Sequence, residues 1–405
     1  MARFNVHNQG YLDQGLRVAA IHTSDRGNYK GCRRRWYWQS HLKMGLEPFY
    51  KASPLWFGSG VHFALESVHG SHYYPTGAEA FVDFVRSSYN MDKERLPTDW
   101  KELQTLGIGM LDYYEKEWQV QRPVYETYVV DGVPQIEVQF EIELPVPADL
   151  LARAELDKVV YRGTMDRVAY DPFLKMLWII EYKTAAQMQT SHFSNDPQCT
   201  AYCWACACIY NIPCAGVIYQ QHLKAVPESA RMLASGKVSS DARQNTTHRG
   251  YRQALINMYG ENFITVASKA NIDCLNELAM MEDDDRDPYV RRDKVYRNAH
   301  QIESEGAKIL LEAYEMIDPN TPLYPHAGRH CIYCPFESPC TSMDDGSDWL
   351  SQLQDESLYV QRETESNQWL TLTKHKPPLV SHQAVMPAFQ LQRLQELSQT
   401  QLQPQ

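Results

Sequence analysis

The clearest hydrophobic rhythm in the chain is QIEVQFEIEL, residues 135–144, where apolar and polar side chains alternate with period two. That period gives each face of an extended chain its own character and predicts a half-buried β-strand. Two more strands follow: 155–170, with Gly163 at a turn or bulge, and 177–182, LWIIEY, a short apolar run ending in charge. The pattern shifts to a helix over 196–210 and back to a strand over 215–223. Upstream, 55–70 reads as a helix and 79–119 as helical with a break at Pro97. The order is helix, three strands, helix, strand. It predicts an α/β fold with a mixed central sheet flanked by helices.

Residues 225–320 read as mostly helical, with the polar GKVSSDARQNTTHRGYR as a mobile loop and EDDDRD, 282–287, as solvated surface. Beyond Asp348 the chain turns polar and ends glutamine-rich, with a thin leucine stripe at Leu391, Leu394 and Leu397. That end reads as a short peripheral helix or a disordered tail. The expected organisation is one domain over 1–345, with helical insertions at 72–130 and 225–320, and a polar tail over 346–405.

Composition narrows the class. A length of 405 residues accommodates one large domain with insertions, and 43% hydrophobic content can build its core. A net charge of −11 excludes a chain whose whole surface coats nucleic acid. The charge is uneven, however: residues 1–50 hold eight Lys/Arg against three Asp/Glu, and 341–405 hold four against eight. Local potential, not the total, governs DNA binding, and an acidic total suits carboxylate cation sites. The start, MARFNVHNQG, has no apolar signal-like run, and the apolar stretch 203–219 is broken by Asn211 and Pro213. No membrane span is expected. Ten cysteines in that setting point to a reducing, cytoplasmic compartment. Cys199, Cys203, Cys206, Cys208 and Cys214 fall in or just after the 196–210 helix and read as small core hydrophobes.

The remaining cysteines carry chemistry. Cys331, Cys334 and Cys340 form a C-x2-C-x5-C trio, CIYCPFESPC, and Cys32 lies far upstream in the basic, aromatic GCRRRWYWQ. Four thiolates gathered from both ends suggest a metal centre that closes a long loop. A second group is Asp166 in GTMDRV with Glu181 and Lys183 in IIEYKT. Two carboxylates on neighbouring strands make a hard oxygen site for magnesium or manganese. Glu181 and Lys183 are two apart on one strand and so share a face. His62 and Glu66 share a helix face behind Gly58, and Gln198 and Tyr202 share another.

Together these residues resemble the PD-(D/E)XK nuclease superfamily. The likeness is to its RecB-like iron–sulfur branch, including the AddB nuclease domain and the CRISPR-associated exonucleases. That branch orders a cysteine, G-x-x-x-H-x-x-x-E, G-x-x-D, (D/E)-x-K, Q-x-x-x-Y and a cysteine trio. The matches here are Cys32, Gly58–His62–Glu66, Gly163–Asp166, Glu181–Lys183, Gln198–Tyr202 and Cys331–Cys334–Cys340, over about residues 25–345. The acid of the third motif is glutamate where aspartate is usual in the branch.

The resemblance implies a restriction-endonuclease-like core and metal-dependent phosphodiester hydrolysis. His62, Asp166 and Glu181 would be metal ligands, joined by the Tyr182 carbonyl. Asp166, Glu181 and Lys183 would be the catalytic set, with Lys183 orienting water. Glu66 would stand behind the metal ligands. Gln198 and Tyr202 would position substrate, and Arg33, Arg34 and Arg35 with Trp36 and Trp38 would grip single-stranded nucleic acid. Cys32, Cys331, Cys334 and Cys340 would hold a 4Fe–4S cluster, with zinc as the alternative. The expected activity is a DNA exonuclease in recombination, repair or replication, acting on a DNA with a single-stranded end in a bacterial or virus-infected cell. The alternatives are a structure-specific endonuclease of the same fold and a catalytically silent iron–sulfur DNA-binding module. There is no G-x-x-x-x-G-K-[ST] run, so any helicase or recombination motor would be a separate partner.

Overall fold

The alternation in QIEVQFEIEL becomes a strand whose residues are buried and partly exposed in strict turn. In the computed structural model, residues 15–71, 74–91, 93–122, 125–361 and 380–387 are described. In chain order, the elements that place the site begin with β1 (Val18–His22), α1 (Thr23–Gly31), α2 (Arg33–Gln39), β2 (Leu46–Pro48) and α3 (Ser53–Glu66). Helices α4 (Gly77–Met91) and α5 (Trp100–Tyr113) follow, then strands β3 (Ile136–Leu144), β4 (Lys158–Asp171) and β5 (Met176–Ala185). Next come α6 (Pro197–Tyr210), β6 (Cys214–Leu223), α7 (His248–Tyr259), α8 (Lys269–Met280), β7 (Val290–Tyr296) and α9 (Ala299–Ile317). Last are β8 (Tyr359–Gln361) and β9 (Ser381–Val385).

One mixed sheet runs β9-β3-β4-β5-β6-β7, with β1 added to β4. The β3–β4, β4–β5 and β6–β7 pairs are antiparallel; β5–β6, β1–β4 and β9–β3 are parallel. Side-chain alternation along β5 divides two cores. Leu177 and Ile179 face α6 and α9, while Trp178, Ile180 and Tyr182 face α3, α4 and α5. At Gly216 the β5–β6 register shifts, and a Cβ there would lie 2.1 Å from the Val295 carbonyl oxygen. Cys199, Cys203 and Cys206 on α6 and Cys214 at the start of β6 are buried free thiols, while Cys208 is partly buried.

Two parts of the chain differ from the sequence-based expectation. The 225–320 stretch contains β7 as well as helices. Its sequence VRRDKVY is too charged to show a strand rhythm, but β7 is an edge strand, where charge blocks further pairing. Residues 230–278 gather a small core of their own around Tyr251, Leu255 and Phe263. The polar stretch 346–405 supplies β8, paired with β2, and β9, which joins the main sheet beside β3. The glutamine-rich end with Leu391, Leu394 and Leu397 lies outside the described residues.

Candidate active site

Strand β4 changes partner along one edge. Its start pairs with β1, up to His22 against Arg162, and its end pairs with β5, from Arg167 against Ile180. Residues 163–166 lie in the fork between the two ladders, and Asp166 stands there with only a side-chain tie to β5. Its Oδ2 accepts the Tyr182 backbone N–H at 2.7 Å. Gly163 has no room for a side chain, since a Cβ would meet the Phe140 ring at 2.6 Å and Thr23 Oγ1 at 2.8 Å.

Helix α3 brings His62 to the fork. Its Nε2 lies 3.1 Å from the Tyr182 carbonyl oxygen, which can only accept, so Nε2 carries a hydrogen. Nδ1 then faces Asp166 Oδ1 at 3.4 Å and Glu137 Oε1 at 3.9 Å. His62, Glu137 and Asp166 offer ligand atoms within 4.8 Å of one another. On β5, Lys183 Nζ donates to Glu181 Oε1 at 2.6 Å, while the buried Glu181 Oε2 has no partner among the described residues. Glu66, one helical turn after His62, is also buried.

Charge and burial compete within this group. Burial would lower the His62 pKa, but Asp166, Glu137 and Glu181 push it up to about 9. Burial raises Glu181 to about 7, with Asp166 adding and Lys183 opposing. Burial alone takes Glu66 to about 7. Burial and the Asp166 charge raise Glu137 well above the carboxylate range. Asp166 is held below that range although burial opposes it, because His62, Lys183 and the Tyr182 N–H stabilise its charge. Burial also works against the Lys183 ammonium, but Glu181 outweighs it and raises the pKa, so Lys183 is a fixed cation and no general base. Crowded hard oxygens, one orphaned in a buried place, fit a divalent cation.

A family model of the PD-(D/E)XK nuclease superfamily matches residues 24–341. The chain belongs to the PD-(D/E)XK nuclease superfamily. Members of this superfamily are metal-dependent nucleases, which gives the chain a nucleic-acid substrate and divalent-metal chemistry. No curated protein matches the chain. As in a PD-(D/E)XK core, a central mixed sheet with helices presents the acids and the lysine from adjacent strands.

The other sequence-selected residues of this PD-(D/E)XK chain divide into two places. Gln198 Nε2 donates to the Tyr202 hydroxyl at 3.0 Å on α6, and Tyr202 lies close enough to Glu181 and Asp166 for their charges to raise its pKa after burial. The basic run lies elsewhere. Arg33 pairs with Glu315 at 2.9 Å, Arg34 with Asp344 at 2.7 Å, and Arg35 Nε donates to Gln39 at 3.1 Å. Trp36 and Trp38 are 1% and 2% exposed, so neither offers a stacking face to a base. Their place in the core corrects the expectation of a stacking platform.

That second place is the cysteine group. Cys32 Sγ accepts the His326 backbone N–H at 3.4 Å, and Cys340 Sγ accepts Arg34 Nη1 at 3.4 Å. Burial raises the Cys334 and Cys340 thiols, and the nearby Cys32 raises both further. Both pack on a small core of Trp38, Leu46, Phe336, Leu353 and Tyr359. Sequence reasoning missed Glu137, which alternates with apolar residues like the other glutamates of β3. In the fold, its backbone φ of 46° sets it apart from them.

Proposed function

We propose that this chain is a magnesium- or manganese-dependent DNA exonuclease. The observation that carries the reading is the orphaned Glu181 Oε2, buried in the fork where His62, Asp166 and Lys183 converge. His62, Asp166 and Glu181 hold the cation. When bound, that cation supplies a Lewis acid to the scissile phosphate. The Tyr182 N–H fixes one oxygen of Asp166 and the Tyr182 carbonyl fixes the His62 ring, so the backbone of one residue sets two ligands. Lys183, anchored by Glu181, holds a water for in-line attack and stabilises charge on the phosphate oxygens. Tyr202 and Gln198 bound the substrate side from α6. The choice of exonuclease, and of a role in recombination, repair or replication beside a separate helicase, follows the resemblance to the RecB-like branch.

The four cysteines hold a 4Fe–4S cluster in this reading. Cys32, Cys331, Cys334 and Cys340 come from both ends of the domain, and two of the sulfurs already receive N–H donors, which stabilise thiolate ligands. Arg33, Arg34 and Arg35 then serve the cluster region before they serve DNA. The described residues include no helix long and apolar enough to cross a membrane.

The test uses anaerobically purified full chain on end-labelled linear DNA and on closed circles, single- and double-stranded, with magnesium or manganese. Linear DNA degraded from its ends with circles spared is the expected result. Cleaved circles would make it an endonuclease, and intact linear DNA would end the nuclease reading. Iron and sulfide content checks the cluster, and colourless protein with one zinc would replace it.

A further inference from the structure

The antiparallel register of β3 and β4 is continuous on either side of one position. Val138 pairs with Met165 and Ile136 with Arg167, which leaves Glu137 directly opposite Asp166. Two carboxylates facing each other across a ladder repel and destabilise the pair. The Glu137 backbone is also left-handed, with φ 46°, inside a strand. A β-carbon makes that conformation unfavourable by about 1–2 kcal/mol. Both costs fall on the same residue pair, and both put the Glu137 carboxylate beside His62 Nδ1, 3.9 Å away. The third neighbour is Glu181, whose Oε2 is buried without a partner.

We propose that Glu137 is a direct ligand of the divalent cation, making the site His62–Glu137–Asp166 with Glu181. The inference rests on the nuclease reading of the same site. It adds a ligand from β3, an element that contributes no residue to the sequence motifs. A cation between the opposed carboxylates turns their repulsion into shared coordination, and three carboxylates with one imidazole make a harder and more anionic site than two carboxylates would. The left-handed turn at Glu137 is the local distortion that delivers the third carboxylate. A glutamate serving only as a hydrogen-bond partner of His62 would need neither the cross-strand register nor the turn.

The experiment measures manganese binding to the full chain by titration calorimetry, with the free-ion electron paramagnetic resonance signal as an independent readout. It compares wild type with Glu137→Gln, Asp166→Asn and Glu137→Asp, and records melting temperature without metal. An outer-shell partner costs about 10–100-fold in metal affinity. For Glu137→Gln we expect a loss of at least that upper figure, partial recovery in Glu137→Asp, and a metal-free melting temperature close to wild type, because the lost His62–Glu137 contact and the relieved crowding against Asp166 offset each other. Wild-type affinity in Glu137→Gln, with binding abolished in Asp166→Asn, overturns the Glu137 assignment and leaves the nuclease reading standing. A Glu137→Gln protein that melts well below wild type without metal also overturns it, since Glu137 would then stabilise the fold by itself. No manganese binding in wild type overturns both.

Discussion

At the residue scale, Lys183 and the acids around it have separable duties. Lys183 is a fixed ammonium paired to Glu181 at 2.6 Å. Lys183→Ala should therefore lower the cleavage rate by about 100- to 1,000-fold, as loss of one electrostatic stabiliser does. Its manganese affinity, read by calorimetry, should stay within a few-fold of wild type; abolished binding would make the lysine a structural part of the metal site. The titrating groups give a second expectation. His62 is raised from 6.5 to about 9, so its contribution to stability is complete below pH 6.5 and is lost as pH rises through 9. Glu181 is raised from 4.5 to about 7, so the folded state keeps a proton the unfolded chain has released, and stability again falls as pH rises through that window. The metal-free protein should melt at progressively lower temperature from pH 5 to pH 9, with saturating manganese flattening or reversing the trend. A metal-free melting temperature that rises across that range would contradict the site electrostatics. Asp166, shifted the other way, acts only below its ordinary value of 3.8 and leaves this window untouched.

At the scale of elements, the strands announce themselves and their irregularities do not. The strand reading of 135–144, 177–182 and 215–223 and the helix reading of 196–210 each fall within about a turn or less of β3, β5, β6 and α6. Local rhythm suffices because each of these strands has side chains committed to a core. The bulge beside Gly216 is different: Ala215 is the extra residue between the Leu177–Cys214 and Trp178–Gly216 pairs, and no rhythm in the chain marks it. A Cβ at Gly216 would strike the Val295 carbonyl, and the residue's φ of +148° is itself unfavourable for a side chain. Gly216→Ala should cost about 3 kcal/mol, the upper range for overpacking, measured as a fall in urea midpoint. A wild-type midpoint would mean that β7 moves aside freely. Glu137 went unread for the same reason as β7. One is a glutamate among glutamates, the other a charged edge strand, and only their partners across the sheet distinguish them.

At the scale of the whole molecule, segments nearly 300 residues apart are tied to each other. Arg26 on α1 pairs with Glu305 at 2.7 Å and with Glu312 at 2.5 Å on α9, with Arg26 and Glu305 both 3% exposed at the side chain. Removing one partner leaves a buried uncompensated charge, so Arg26→Met should destabilise by about 3–5 kcal/mol. Adding Glu305→Gln in the same protein should recover part of that loss, and a neutral single substitution would show that the pair is dispensable. In the proposed 4Fe–4S reading, Cys32 between α1 and α2 and Cys331, Cys334 and Cys340 would close the domain in a second place. Cys331→Ser should lose iron and melt earlier, while the fraction that remains folded keeps manganese binding at the fork, because the two sites share no residue. Loss of iron without a change in melting would give the cluster another purpose than closing the domain.

The order of the core elements and the family were legible in the chain alone, and the motifs singled out His62, Asp166, Glu181, Lys183, Gln198 and Tyr202 as candidates. Each motif lies within one helix or one strand, so its spacing is read locally. The tertiary structure decided what depends on contacts between distant segments. It buried Trp36 and Trp38 and spent the three arginines on intramolecular partners. It drew β9 from the polar C-terminal stretch into the sheet. It also set Glu137 across from Asp166 at the fork. Periodicity reports which face a side chain takes, but the identity of the group on the other side of that face is fixed only when strands far apart in the chain come into register.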